Sequence, residues 1–271
     1  MAFPVSKQGA PGFEKEMTSG KKHRIGTRME LPDGRVFYYG KSGAAITAGK
    51  IAMMAGIDHA DHIKDLAVAA AVAAGGNQIT VTNASSAITG TGRYTGDFTT
   101  GGTYEDGYIF VNDAAGEGQV WQIMEHSSAT TSGTLTIDLY PNDSVRTALT
   151  TSSEVGLAEN PYAAPIVWDL NGILGPVVGI PNCDQTSGYY GWYQTKGVAT
   201  VLTNGTFVKG KNVMTGSTAD GSGITIQDAV DASNDATILW DADNDEFDFS
   251  HPICIIVGHE ETGIPVEILN N

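Results

Sequence analysis

Positive charge almost disappears from this chain after Lys50: only six of its fifteen Lys and Arg fall in the last 221 of its 271 residues, a stretch that carries about −21 of charge. So acidic a body repels nucleic acid phosphates and anionic membrane surfaces, and neither is an expected partner. Long apolar runs are missing too. The longest, Leu66 to Ala74 (LAVAAAVAA), is far short of the roughly 20 residues of a membrane helix. The opening MAFPVSKQGAPGFEKE has no apolar core of the kind a secretory signal needs, so assembly in a cytoplasm is expected. Cysteine is scarce. Cys183 and Cys254 lie far apart in apolar settings, VGIPNC and PICIIV, and are expected as packing residues rather than as a bridge.

Catalytic signatures are thin as well. There is no Gly-x-Ser-x-Gly elbow, and GAAITAGK ends in Gly-Lys but continues with Ile51 where a phosphate loop needs Ser or Thr. The paired carboxylates Glu105-Asp106 and Glu260-Glu261 are adjacent, so on a strand they would point to opposite faces and could not flank one bond. DHADH places His59 and His62 at a spacing that suits a divalent ion, but no third ligand is identifiable. DADNDEFD opens like a calcium loop at Asp241, Asp243 and Asp245, yet its sixth position is Glu246 instead of Gly and its twelfth is Pro252 instead of Glu. The expectation is a protein without catalytic residues, metal or cofactor.

What the chain has in quantity is glycine, 34 residues, alongside 41% apolar and only 17% charged residues, the composition of a folded and turn-rich protein. Strand signals recur along it. RMELPDGRVFYYGKSG reads as a hairpin around Pro32-Asp33-Gly34, where proline fixes φ and glycine accepts a positive one. QITVT, GYIFVND, GQVWQIMEH and GTLTIDLY each alternate apolar and polar residues between turn residues, as short antiparallel strands do. DHADHIKDLAVAAAVAAGG is ambiguous: its alanines permit a helix, yet Leu66, Val68, Ala70 and Val72 alternate, and a short helix or loop followed by a strand is expected. GAAITAGKIAMMAG (43–56) weakly resembles GVATVLTNGTFVKGKNVMTG (197–216), which suggests related β-units near the two ends of the chain.

These signals predict an all-β molecule: a discontinuous base domain of residues 25–65 and 154–271, an inserted β-sandwich or barrel-like lobe of residues 66–153, and an extended basic arm, residues 1–24. GYYGWYQTKG (188–197) packs four rings into five positions. As a strand it turns Tyr190 and Trp192 to one face and Tyr189, Gly191 and Tyr193 to the other. Rings so placed usually fill a β-core or an interface, and Tyr190, Trp192 and Tyr193 are expected there rather than in a sugar platform.

Three stretches, YEDGYIFVNDAAGEGQVWQIMEHSS, GTLTIDLYPNDSVRTALTTSSEVGLAENPY and GYYGWYQTKGVATVLTNG, resemble the head decoration, or cement, proteins of tailed phages. The resemblance runs from about Leu31 to the C-terminus and leaves the basic arm uncovered. It implies a non-enzymatic virion protein on the outer capsid surface, a homotrimer that clamps neighbouring major capsid subunits. On that reading the arm meets the capsid through Phe3, Phe13, Lys21, Lys22 and Arg24. The competing reading is a receptor- or glycan-binding fibre or tail module that uses the projecting lobe or the aromatic cluster.

Overall fold

Period-two alternation sets the architecture. The computed structural model describes residues 6–55, 62–83, 88, 104–168 and 175–203, and beyond them the backbone of three short strands, 213–215, 223–225 and 256–257. The described residues are all-β, in two main sheets, with no α-helix among them. The first sheet has seven strands in the order β1 (Ser6–Gln8), β2 (Arg28–Glu30), β3 (Val36–Lys41), β13 (Tyr190–Lys196), β12 (Val177–Pro181), β4 (Ala52–Met53) and β11 (Ile166–Val167). It draws strands from both sides of the second sheet in the sequence. This is the base.

The second sheet is inserted between them: β5 (Leu66–Ala67), β10 (Glu154–Ala158), β7 (Tyr108–Asp113), β8 (Val120–His126), β9 (Thr134–Leu139) and β6 (Gln78–Thr82) in spatial order, all antiparallel. Its two ends meet where Val68 bridges Val81 and the Ala69 N–H donates to the Thr80 carbonyl, so the lobe is a nearly closed barrel. Closure removes exposed strand edges. Inward residues follow the pleat: Ile79 and Val81, Ile109 and Val111, Trp121 and Ile123, Leu135, Ile137 and Leu139, with Val155 and Leu157, all belong to one buried cluster. A bulge between Ile123 and Glu125 adds a residue to β8 and brings His126, not Glu125, to the interior. Strand β10 pairs with β5 and β7, so the lobe extends to Ala158, five residues past the boundary expected from the sequence.

Two further expectations meet the structure here. The hairpin at Pro32 forms as read, β2 against β3, with Gly34 at φ 82° and its N–H on the Leu31 carbonyl. In the alanine-rich run alternation wins over helix propensity: Leu66 and Val68 are buried, Val72 bridges Leu149, and the described residues 62–76 contain no α-helix. Cross-strand pairing outweighs the small intrinsic preference of alanine for a helix. Among the later strands, β14 (Ala199–Thr200) pairs in parallel with β17 (Ile256–Val257), and β15 (Val213–Thr215) pairs with β16 (Gly223–Thr225). The two similar segments touch, for the Leu202 N–H donates to the Gly49 carbonyl.

Candidate functional site

The N-terminal segment is extended, and it is built into the fold. Strand β1 runs parallel to β2, a single 3₁₀ turn (Phe13–Lys15) lies against β13, and Thr18 bridges Tyr190. From there the chain passes to the junction between base and lobe. The turn at Tyr104–Asp106 leads into β7, and Asp106 adopts φ 59°. That left-handed conformation overturns the expectation that Glu105 and Asp106 diverge: both carboxylates reach one amine, Lys21 Nζ, at 2.7 and 2.5 Å. The adjacent acids sit on a turn, where the two-sided geometry of a strand does not apply.

Asp106 is the centre of this junction. Its Oδ2 also accepts the Ile25 N–H at 2.8 Å, and its Oδ1 accepts the Tyr140 hydroxyl. Its carbonyl receives the side-chain amides of Gln122 and Asn160, and Asn160 Nδ2 also lies 3.2 Å from the Ile25 carbonyl. Arg24 stacks its guanidinium over the Tyr140 ring, 3.2 Å from the centroid. The site is dry: the side chains of Lys21, Glu105 and Asp106 are 3%, 12% and 0% exposed. Burial by itself would lower the Lys21 pKa; Asp106 and Glu105 outweigh it and hold the ammonium above its ordinary value. Burial pushes Glu105 above the usual carboxylate range despite Lys21.

The five residues expected to touch a capsid therefore separate. Phe3 lies outside the described residues. Phe13 is 38% exposed and Lys22 is exposed, with its N–H on the Tyr39 hydroxyl. Lys21 and Arg24 are buried, which corrects their assignment to an outer contact, because the lobe supplies the carboxylates and the ring that hold them. Sequence spacing could not show this, since Lys21 and its acids stand 84 and 85 positions apart.

The aromatic strand divides as its period requires. Tyr190 and Trp192 join Tyr39, Phe37, Met29, Leu31 and Ile25 in one core, with Tyr39 stacked on Tyr190 at 5.8 Å and tilted against Trp192 at 5.0 Å. Tyr193 enters another with Ile46, Ala52 and Val178, and its hydroxyl lies 2.5 Å from Ser42 Oγ. Gly191 has a purpose between them: a Cβ there would strike the buried Gln185 side chain. All three rings are in the core of this chain, Trp192 at 2% exposure.

His62 is buried with Nδ1 2.8 Å from the Tyr104 hydroxyl, while His59 and the acidic loop 241–248 lie outside the described residues. Among the described residues no group of three or more His, Cys, Asp or Glu is arranged to hold a metal ion, and no helix is long and apolar enough to cross a membrane. Cys183 is a half-buried free thiol, and Cys254 falls outside the described residues.

Apart from the buried junction, one surface stands out. Phe13 and Met17 are exposed on either side of exposed Lys15 and Glu16, the Lys7 ammonium lies 5.1 Å from the Phe13 ring centroid, and Lys22 is exposed further along the same N-terminal segment. It joins cations to apolar side chains on a chain that is otherwise acidic. Comparison with protein-family models, with curated proteins and with solved structures finds no match for this chain.

Proposed function

We propose that this chain is a non-enzymatic structural protein of a phage virion, bound as a homotrimer to the outer surface of an icosahedral head, where it clamps neighbouring major capsid subunits. The observation that carries the reading is the exposure of Phe13, Lys15, Met17 and Lys22 along the N-terminal segment of a chain whose remainder is strongly acidic. Such a patch suits an acidic protein partner, for opposite potentials steer encounter and exposed apolar groups supply area to bury. The architecture suits the role as well. The base and the inserted lobe are joined through a buried polar junction, and the stretches that resemble decoration proteins include β7 to β10 and β13.

The glycan-binding alternative gains little from the aromatic cluster, three of whose four rings are buried, with Tyr189 alone exposed. The deciding experiment is co-sedimentation with empty, expanded heads of a tailed phage that lack their own decoration protein, preceded by the mass of the free protein in solution. Binding at a saturable ratio that Lys15→Glu with Lys22→Glu weakens supports the reading. No binding, or binding indifferent to those two charges, overturns it. Deleting residues 1–24 is the poorer test, because it also removes β1 and Lys21 from the fold.

A further inference from the structure

The contact of Lys21 with Asp106 is closer and drier than an ion pair needs. An amine, a carboxyl carbon and a second carboxyl group meet at one buried point, Nζ lying 2.5 Å from Asp106 Oδ2 and 2.7 Å from Glu105 Oε1. We propose that Lys21 and Asp106 condense after folding into an intramolecular isopeptide bond, with Glu105 as the proton carrier. The inference rests on the junction itself and is independent of the proposed capsid role.

The chemistry balances within the three side chains. The Lys21 ammonium first passes a proton to the Asp106 carboxylate, which leaves a neutral amine beside a neutral carboxylic acid. That exchange is uphill, since the two carboxylates hold the ammonium above its ordinary pKa, and burial lowers its cost, because two ions in a dry site lack their hydration while the neutral pair has little to lose. The nitrogen lone pair then attacks Cγ. The Nζ–Cγ bond forms, and a second proton leaves Nζ through Glu105 for the departing Oδ2 hydroxyl. The Cγ–Oδ2 bond breaks and one water is released. Ammonium plus carboxylate become amide plus water, Glu105 ends as it began, and no oxidant or cofactor takes part.

Each neighbour has a use in that sequence. The Tyr140 hydroxyl donates to Oδ1, so a donor already stands where negative charge develops in the tetrahedral adduct, and the Ile25 N–H holds Oδ2, the oxygen that departs. Asp106 carries these two donors besides Lys21, which makes its carbon the electrophile. Glu105, lifted above the usual carboxylate range by burial, is suited to accept a proton and return it. The fold holds the reacting groups in contact and excludes water, replacing a bimolecular encounter by a fixed one. Asp106 at φ 59° and the amides of Asn160 and Gln122 on its carbonyl fix the turn that aims the carboxyl. The product ties the N-terminal segment covalently to the lobe, so base and lobe could no longer part.

Intact mass spectrometry of the denatured full-length protein tests this. The wild type is expected one water lighter than its sequence, and digestion should yield a branched peptide that joins Lys21 to Asp106. Glu105→Gln, checked for folding by circular dichroism, should keep its full mass or lose the water far more slowly. Lys21→Arg should keep it entirely. A wild-type chain of full mass after prolonged incubation overturns the proposal. So does a water loss that maps to a succinimide at Asp106-Gly107, which has the same mass but leaves Lys21 in a linear peptide. If Glu105→Gln cross-links as fast as the wild type, the role given to Glu105 is wrong.

Discussion

Thr18 and Tyr190 exchange both of their backbone hydrogen bonds, 2.9 Å from the Thr18 N–H to the Tyr190 carbonyl and 2.8 Å in return. Through that bridge a segment rich in Lys, Pro and Gly becomes a structural part of the base, laid across the start of the aromatic strand. Three residues further on, Lys21 carries the same segment to the lobe. The N-terminal region thus fastens one module to the other.

Thr18→Pro should break that fastening. Proline has no N–H to give, so the Tyr190 carbonyl loses its partner beside a buried ring, at a cost of about 1 to 3 kcal/mol. Thr18→Ala keeps the bridge and removes the hydroxyl with its bonds to the Gly20 carbonyl and to the Tyr39 hydroxyl, for about 0.5 to 1.5 kcal/mol each. Denaturant unfolding of the two variants separates them. Equal losses would mean that the bridge contributes nothing of its own.

Trp192→Ala should destabilise by about 3 to 5 kcal/mol through the cavity it leaves among Tyr39, Tyr190 and Ile25. Tyr189, immediately before the strand that carries Trp192 and 37% exposed, should tolerate alanine to within about 0.5 kcal/mol. Thermal melts check both. A Trp192→Ala protein that melts with the wild type would return this ring to the surface and reopen the sugar-platform reading.

Tyr193→Phe should cost about 1 to 3 kcal/mol, because Ser42 Oγ then stays buried without the hydroxyl it meets at 2.5 Å. Adding Ser42→Ala should recover part of that loss, since the stranded group is gone. A double-mutant cycle reads the coupling directly. Strictly additive losses would show that the two hydroxyls do not interact.

Much of this molecule could be read from its residues, and the reason is period. β6 begins and ends where QITVT does, β7, β8 and β9 lie within the alternating runs that announce them, and Gly34 turns the hairpin that proline and glycine specify. The faces of Tyr190, Trp192 and Tyr193 also followed from a repeat of two. The junction did not, because its logic is long-range. Lys21 looks like any cation of a basic tail until Glu105 and Asp106 arrive from the lobe, and their convergence depends on one left-handed residue that no alternation signals. The lobe reaches past its expected boundary for a related cause: EVGLA pairs as well with one sheet as with another until its partners Leu66 and Val111 are known.

His23 gives the last prediction, a loss of stability on the acid side. Burial lowers its pKa from 6.5 to about 4, and the Lys7 ammonium adds to the effect. The geometry agrees. Its ring meets Tyr39 edge-on at 5.1 Å and Trp192 at 5.4 Å, and Lys7 Nζ lies 3.4 Å from Nε2, where an ammonium can only donate and the ring nitrogen must accept. The folded protein therefore resists a proton that the unfolded chain takes up readily. Between pH 6.5 and about 4 the unfolded state binds more protons, so stability falls as pH falls through that window. Glu105 works in the opposite sense, because its raised pKa lets the folded state hold the extra proton there. Comparison with His23→Gln isolates the histidine: the variant should lose the downward slope between pH 6.5 and about 4 whatever its stability at neutral pH. Denaturant midpoints measured across that range decide it, and parallel curves for the two proteins would show that His23 titrates alike in both states.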